Sequence, residues 1–314
     1  MPEITREELA QALVNAIYTL FGDNRARAVH TKGILLEGIF TPDPGAAELC
    51  RAPLFASGIV PTLIRFSNTT GVPTIPDFVP DASPHGLGLK FRPPGQPEVD
   101  AVAHSFPGFP VRSPAEFLSF LLAAAASGPD VPSPKPIEKF VSERPAALAY
   151  ATQQKAPTAS FATLTYYGVN AFRFTNAAGV SVVVRSRFVP RAGEQLLDAA
   201  AVATRTPDYL HEEIAARLAA GPALLDWWVQ LAEGGDVADD PTVAWPESRK
   251  QVRLGAIEAT SVIVDQAKAD RTSSFSPGRL QDGMEPADPM IRVRDAAYAI
   301  STRNRQAPRG GQIR

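Results

Sequence analysis

The sequence predicts an α+β protein in which an antiparallel β-barrel is surrounded by helices. Three observations carry this. The elements run helix, many strands, helices, strands, helix, which is not the alternation of a doubly wound fold. The strand-like runs are short and numerous, and closing them into a barrel is the natural way to hide their edges. The 30 prolines in 314 residues are about twice the usual share; they call for stiff connections and argue against an all-helical bundle. A composition 45% hydrophobic and 20% charged supports a packed core rather than a disordered chain.

The first element is a helix: Thr5 and Glu8 form a capping-box pattern, and Leu9, Leu13, Ile17 and Leu20 recur at helical spacing until Gly22. From about Arg27 to Phe91 the texture becomes β, with HTKGILLEGIF, PTLIRFSN and GLGLKF separated by Pro, Gly, Asn and Asp. Ser113-Pro114-Ala115-Glu116 supplies an N-cap, a proline for the first turn and a glutamate to close the box before the apolar FLSFLLAAAA run. After the loop SGPDVPSPKPIE, a helix is expected over Ala146 to Gln153. AFRFTN and SVVVRSRFV then flank Ala177-Ala178-Gly179 as a hairpin would. Residues 208 to 235 read as helical, ending near Gly234-Gly235. The strand RLGAIEATSVIV, the proline-broken FSPGRLQDGMEPADP and a last helix from about Met290 complete the chain, before a loose basic tail, QAPRGGQIR. No repeat or long linker divides it. A single domain, 1–314, is expected: an N-terminal helix over 1–23, a core over 24–305 and the tail over 306–314.

Thirty-one Lys+Arg against 33 Asp+Glu give a formal charge of −2, so no global field favours nucleic acid or an anionic membrane. Cys50 is the only cysteine. That excludes a disulfide framework within the chain, suits a reducing compartment and makes Cys50 itself a small, partly buried hydrophobe. MPEITREELA lacks the basic end and apolar run of a secretory signal, and the longest apolar stretch, near Phe117 to Ala126, is too short to span a membrane. Cytoplasmic residence is the expectation.

There is no GxSxG elbow, Walker loop, GxGxxG or HExxH, and the Asn68-Thr69-Thr70 sequon carries no weight without a secretory signal. Of the four histidines, His30, His85, His104 and His211, His211 in DYLHEEIAAR reads as a solvated helix residue. His30 in RARAVHTKG follows Arg27 by three residues and precedes an apolar strand, a place where something anionic could sit. Arg65 is flanked by Ile64 and Phe66 on a strand, and Tyr298 follows Arg294 by four residues, on one helical face. Taken singly, each of these also has an ordinary structural reading.

In order along the chain, RAVHTKG, IRFSN, HGLGLKF, PVRSPAEF, YYGVNAFRFTN, PDYL, WWVQL, VAWPE, FSPGRLQDGMEP and RVRDAAY resemble the catalase family, specifically its short catalase-related heme peroxidases. The resemblance spans about residues 24 to 305. It implies ferric heme b with Tyr298 as iron ligand, Arg294 favouring the phenolate, and His30 as the distal base that moves a proton between peroxide oxygens. It further implies Arg27, Arg65 and Arg303 as partners of the heme propionates, Phe117 stacked on the porphyrin and Val29 at the distal channel.

One departure from the family pattern bears on activity. His104, followed by Ser105, stands in DAVAHSF where the family's distal asparagine is expected, and both are candidate catalytic residues. Loss of that amide weakens the case for disproportionation and leaves peroxidase chemistry. The resemblance thus implies reduction of hydrogen peroxide or organic hydroperoxides, under oxidative stress, by a small-molecule or organic electron donor. The chain also lacks the arm and extension that interlock larger tetramers, so a homodimer is expected and NADPH binding is doubtful. The alternatives are a true catalase, a fatty-acid hydroperoxide isomerase on the same Tyr-ligated heme, and a noncatalytic barrel carrying heme or an apolar ligand.

Overall fold

A computed structural model describes residues 4–22, 26–152 and 156–307. The expected helix comes first, as α1 (Arg6–Phe21), with Thr5 and Glu8 completing a reciprocal capping box and Gly22 at the C-cap. The first half of the barrel is β1 (Gly33–Pro42), β2 (Val60–Ser67), β3 (Gly86–Phe91) and β4 (Val99–His104). The short helices α2 (Pro44–Leu49) and α3 (Pro53–Ala56) lie between β1 and β2. Neither they nor β4 follow from the sequence patterns above. Helices α4 (Pro114–Ala125), α5 (Pro136–Ser142) and α6 (Pro145–Thr152) come next. Ser113 caps α4 by accepting from the Glu116 N–H, but Glu116 accepts from the Arg112 backbone rather than closing the box. α5 starts inside the stretch expected to be loop, and Gln153 lies outside the described residues.

The hairpin is β5 (Tyr166–Thr175) and β6 (Ser181–Pro190); then come α7 (Ala199–Val202), α8 (Tyr209–Ala220), β7 (Ala223–Leu231), β8 (Gln251–Val262), α9 (Gln266–Thr272), β9 (Met284–Pro286) and α10 (Met290–Gln306). Residues 208 to 235 are therefore not one helix. The Gly221-Pro222 pair stops α8, and ALLDWWVQL continues as a strand in which alternate side chains are buried. Trp227 explains why: only an extended backbone delivers its indole to the barrel axis, 5.2 Å from the Phe91 ring and 5.6 Å from Phe40. The tail beyond 307 lies outside the described residues.

All strand pairs are antiparallel, in the order β4-β3-β2-β1-β8-β7-β6-β5. The His104↔Tyr167 pairing of β4 with β5 closes the barrel, and β9 adds to β5 outside it. Side-chain alternation divides the first four strands cleanly. Ile64, Phe66, Leu87, Leu89, Phe91 and Val99 point into the aromatic core; Leu35, Leu63 and Val102 point outward against Phe275. Over that side of the molecule α1 packs against α4 and α10, with Leu13, Val14, Ile17, Leu121, Val293 and Ile300 forming a second core. Cys50 is fully buried, its thiol on the Gly283 carbonyl.

Candidate active site

The outer face of the barrel brings together most of the singled-out residues. His30 lies in the segment leading into β1, with its backbone in the left-handed region at φ +56°, a conformation costing a non-glycine residue about 1–2 kcal/mol. Its N–H donates to the Thr69 carbonyl at 3.1 Å, and its Nδ1 lies 3.1 Å from Ser67 Oγ. Ser67 and Gly86 are register partners on β2 and β3. A Cβ on Gly86 would stand 2.6 Å from His30 Nδ1, so the ring rests in space that only glycine leaves open. Burial, then the guanidiniums of Arg65 and Arg294, push its pKa down to about 3. The imidazole is neutral at pH 7, and Ser67 on Nδ1 leaves Nε2 for chemistry.

His104 ends β4 opposite Gly86, its ring between Phe106 and Phe109. Its Nε2 is buried without a hydrogen-bond partner, which is costly unless something fills the place. Burial first, then His30 and Arg294, lower its pKa to about 3. Two neutral imidazoles and one guanidinium thus share one electrostatic neighbourhood.

Ser105 does not join them. Being the next residue along an extended chain, it turns to the other face, where its Oγ accepts from the His85 N–H at 2.9 Å and its own N–H donates to the His85 carbonyl. The expectation that Ser105 acts beside His30 is corrected by this alternation. His211 is also not solvated: it is half-buried, its ring edge-on to Phe161 at 6.0 Å.

On α10, Arg294 Nη2 donates to Tyr298 Oη at 2.7 Å, as the four-residue spacing requires. Its Nη1 donates to Asn170 Oδ1, whose Nδ2 donates to Asp288 at 2.6 Å; Asp288 in turn accepts from the Met290 N–H at the head of the helix. The relay from Asp288 through Asn170 to Arg294 fixes the guanidinium against the phenol. Asn170 and Asp288 escaped the sequence reading, although a polar amide within the apolar run YYGVNAFRF was a usable signal.

Arg27 and Arg65 both donate through Nε to Asp270 Oδ1 on α9, each at 2.9 Å. Arg65 is 4% exposed; a Cβ on Gly33 would lie 2.7 Å from its Cζ, which is why its guanidinium needs that glycine. Burial and then Arg27 push its pKa down to about 9. The third guanidinium is Arg305, not Arg303. Arg305 is buried, donates to the Ser273 carbonyl that Arg27 also uses, and leaves its Nε unpartnered; burial and then Arg27 lower its pKa to about 10. Arg303 is exposed on the far side of the helix. The signal was in the spacing, since 294, 298, 301 and 305 follow the 4-3-4 rhythm of one helical face and 303 does not. Val29 and Phe117 lie partly buried against the second core, with Phe117 stacked on Phe120 at 6.2 Å.

Arg27 and Arg65 share the carboxylate of Asp270, with Arg305 beside Arg27 on the Ser273 carbonyl, while a phenol braced by Arg294 and two neutral imidazoles lie nearby. This set suits a flat group carrying two carboxylates and a metal able to take an oxygen ligand; the unpartnered Nε of Arg305 and Nε2 of His104 are what such a group would satisfy.

The profile of the family described as Catalase matches residues 23–314. The chain is 32% identical over 295 residues to a catalase-related peroxidase of Synechococcus elongatus, covering 92% of this chain and 86% of that one. It is 34% identical over 291 residues to a catalase-related peroxidase of Mycolicibacterium paratuberculosis, covering 91% of each. Among solved structures, a fungal catalase superposes with a TM-score of 0.79 at 21% identity, over 90% of this chain and 59% of that one. Catalase A from Saccharomyces cerevisiae also gives 0.79 at 21%, over 89% and 61%.

Proposed function

Because the chain belongs to the catalase family, we propose that it is a heme b peroxidase that reduces hydrogen peroxide or organic hydroperoxides with an external electron donor and has little catalase activity. The observation that carries this reading is the pair of neutral imidazoles, His30 and His104, sharing one buried neighbourhood with Arg294. The residues fit heme by the charge excess at Asp270 and by the two unpartnered nitrogens. Arg27, Arg65 and Arg305 would hold the propionates, Tyr298 would be the iron ligand, and Phe117 and Val29 would border the porphyrin. When bound, heme supplies the redox-active iron that takes electrons from the donor and passes them to peroxide.

The protein's own part is proton handling. His30 Nε2 takes the proton from one peroxide oxygen and returns it to the leaving oxygen, a shuttle for which an imidazole neutral at pH 7 is ready in advance. Ser67 holds the ring by Nδ1 and Gly86 sets how closely it lies. His104 Nε2 supplies a second polar contact that orients the peroxide, in place of an amide. Arg294 donates from Nη2 to Tyr298 Oη and so holds the phenol oxygen in place as a ligand. The balance is ROOH plus two electrons and two protons to ROH and water.

The proposal includes a homodimer acting under oxidative stress in the cytoplasm, and the lone buried thiol, at home in a reducing compartment, supports the last of these. Activity is tested on the heme-loaded protein by following donor oxidation and oxygen release side by side. Donor oxidation faster than oxygen evolution is expected. Vigorous oxygen evolution with negligible donor oxidation would make it a true catalase, and a peroxide rearranged without any donor would make it an isomerase.

A further inference from the structure

A second site lies on the other face of the same strands. Gly86 and His104 face His30, so their chain neighbours His85 and Ser105 face the opposite way, into the mouth of the barrel. There they border a cavity of about 270 Å³, together with apolar Phe78, Val79, Pro157 and Leu164. That is somewhat below the usual range for drug-sized ligands and suits a molecule of one ring.

The polar groups of this cavity are set by a buried relay. Lys32 Nζ lies 2.7 Å from Asp77 Oδ1, which accepts from Asn68 Nδ2 at 2.8 Å; the second Asp77 oxygen accepts from the Leu210 N–H. Asn68 is thereby oriented with its Oδ1 toward His85 Nδ1, 3.0 Å away. An amide oxygen only accepts, so Nδ1 carries the hydrogen and Nε2 keeps its lone pair. Burial pushes the His85 pKa down to about 4, so the ring is neutral at pH 7. Ser105 Oγ already accepts from the His85 backbone, which leaves its O–H to donate. Asp77 is saturated by its partners and presents no free charge. Thr158 on the wall spends its hydroxyl on the Ser160 and Gln195 carbonyls, so the His85 acceptor and the Ser105 donor, with the Ser83 hydroxyl and apolar walls around them, complement a neutral aromatic hydroxyl.

We propose that this barrel-mouth cavity is the subsite for a small neutral phenolic reductant, whose hydroxyl donates to His85 Nε2 and accepts from Ser105 Oγ. The inference rests on the peroxidase reading. The bound molecule is separated from His30 by the backbones of β3 and β4, so it cannot be the peroxide that exchanges protons with His30; it can give up an electron through that thin wall. The step is ArOH to ArO•, with the proton passing to His85 Nε2 and the electron to the centre oxidised by peroxide. Two turns complete the balance ROOH + 2 ArOH → ROH + H₂O + 2 ArO•. His85 returns the proton to water between turns.

The test titrates phenol into the resting heme-loaded protein without peroxide, by calorimetry, for the wild type, His85→Phe and Val79→Trp. His85→Phe removes the acceptor, and Val79→Trp fills the cavity from its wall. Saturable wild-type binding that each folded variant weakens more than threefold is expected, together with a fall of at least tenfold in the ratio of kcat/KM for phenol to that for ferrocyanide, a donor with no proton to give. If His85→Phe does not fold, Val79→Trp decides alone. No saturable binding to the wild type, or a Kd within threefold of it in either folded variant, overturns the subsite. A wild type that binds phenol as described yet oxidises neither donor would refute the peroxidase reading and leave the subsite standing.

Discussion

Replacing Asp270 by Asn tests the charge balance on which the proposed heme binding rests. Asp270 Oδ1 accepts from Arg27 Nε and Arg65 Nε, both at 2.9 Å, and no other carboxylate pairs with these two guanidiniums or with Arg305 among the described residues. Each charge-assisted bond contributes about 1.5–3 kcal/mol. Breaking a buried pair on one side costs about 3–5 kcal/mol, less here because the Asp270 side chain is 27% exposed, which leaves roughly 2–4 kcal/mol. For a chain of this size, at about 2 °C per kcal/mol, the heme-free variant should melt about 4–8 °C below the heme-free wild type. With heme bound, propionates stand in for the lost carboxylate, and the deficit should shrink by at least half. Burial pushes the Asp270 pKa up, but Arg65 and Arg27 together outweigh it and hold the carboxyl below its usual range. Its contribution is therefore present above pH about 4 and is lost as pH falls through the folded-state value, taking the difference between variant and wild type with it. Paired thermal scans with and without heme read all of this. A heme-free variant as stable as the wild type, or a deficit that heme leaves unchanged, would refute the reasoning.

Three further outcomes follow from the same geometry. Gly86→Ala places a methyl 2.6 Å from His30 Nδ1 and 2.7 Å from Ser67 Oγ; displacing the ring by about 1 Å should lower peroxide-dependent donor oxidation ~100-fold with heme uptake retained, and activity within threefold of wild type would contradict the placement of His30. Arg305→Leu should weaken heme affinity, whereas Arg303→Leu should change neither affinity nor stability beyond about 0.5 kcal/mol; equal effects in heme titration would undo the assignment of Arg305. His30 and His104 titrate near 3 and His85 near 4 in the folded chain, against about 6.5 when unfolded, so the unfolded state binds more protons between those values and stability to urea should fall as pH drops from about 6.5 toward 4. A flat profile over that window would mean that these imidazoles are not buried neutral.

What the sequence disclosed, and what it hid, divides by range. Local signals were legible: the Thr5–Glu8 box, the turn at Ala177-Ala178-Gly179, and the Arg294–Tyr298 pair all depend on neighbours within five residues. The strand Ala223–Leu231 was misread because its apolar run suits a helix as well as a strand and the break at Gly221-Pro222 was passed over; the aromatic partners of Trp227, Phe40 and Phe91, hold the extended form. The error at Arg303 was one of phase, since a count of helical rhythm from Arg294 reaches Arg305. Ser105 was drawn to the site by standing next to His104, although adjacency in a strand means opposite faces. Asp270 with Arg27 and Arg65, and Asn170 between Arg294 and Asp288, are pairings across more than a hundred residues, or across a strand and a helix, and no spacing rule reaches them.

The central claim is that Tyr298, braced by Arg294, is the iron ligand of a bound heme. The most direct measurement is the absorption spectrum of the heme-loaded wild type beside that of Tyr298→Phe, which removes the phenolic oxygen and keeps the ring. The account predicts stoichiometric heme and a ferric phenolate-ligated spectrum in the wild type, with that signature lost in the variant. Unchanged heme uptake and an unchanged spectrum in Tyr298→Phe would contradict it.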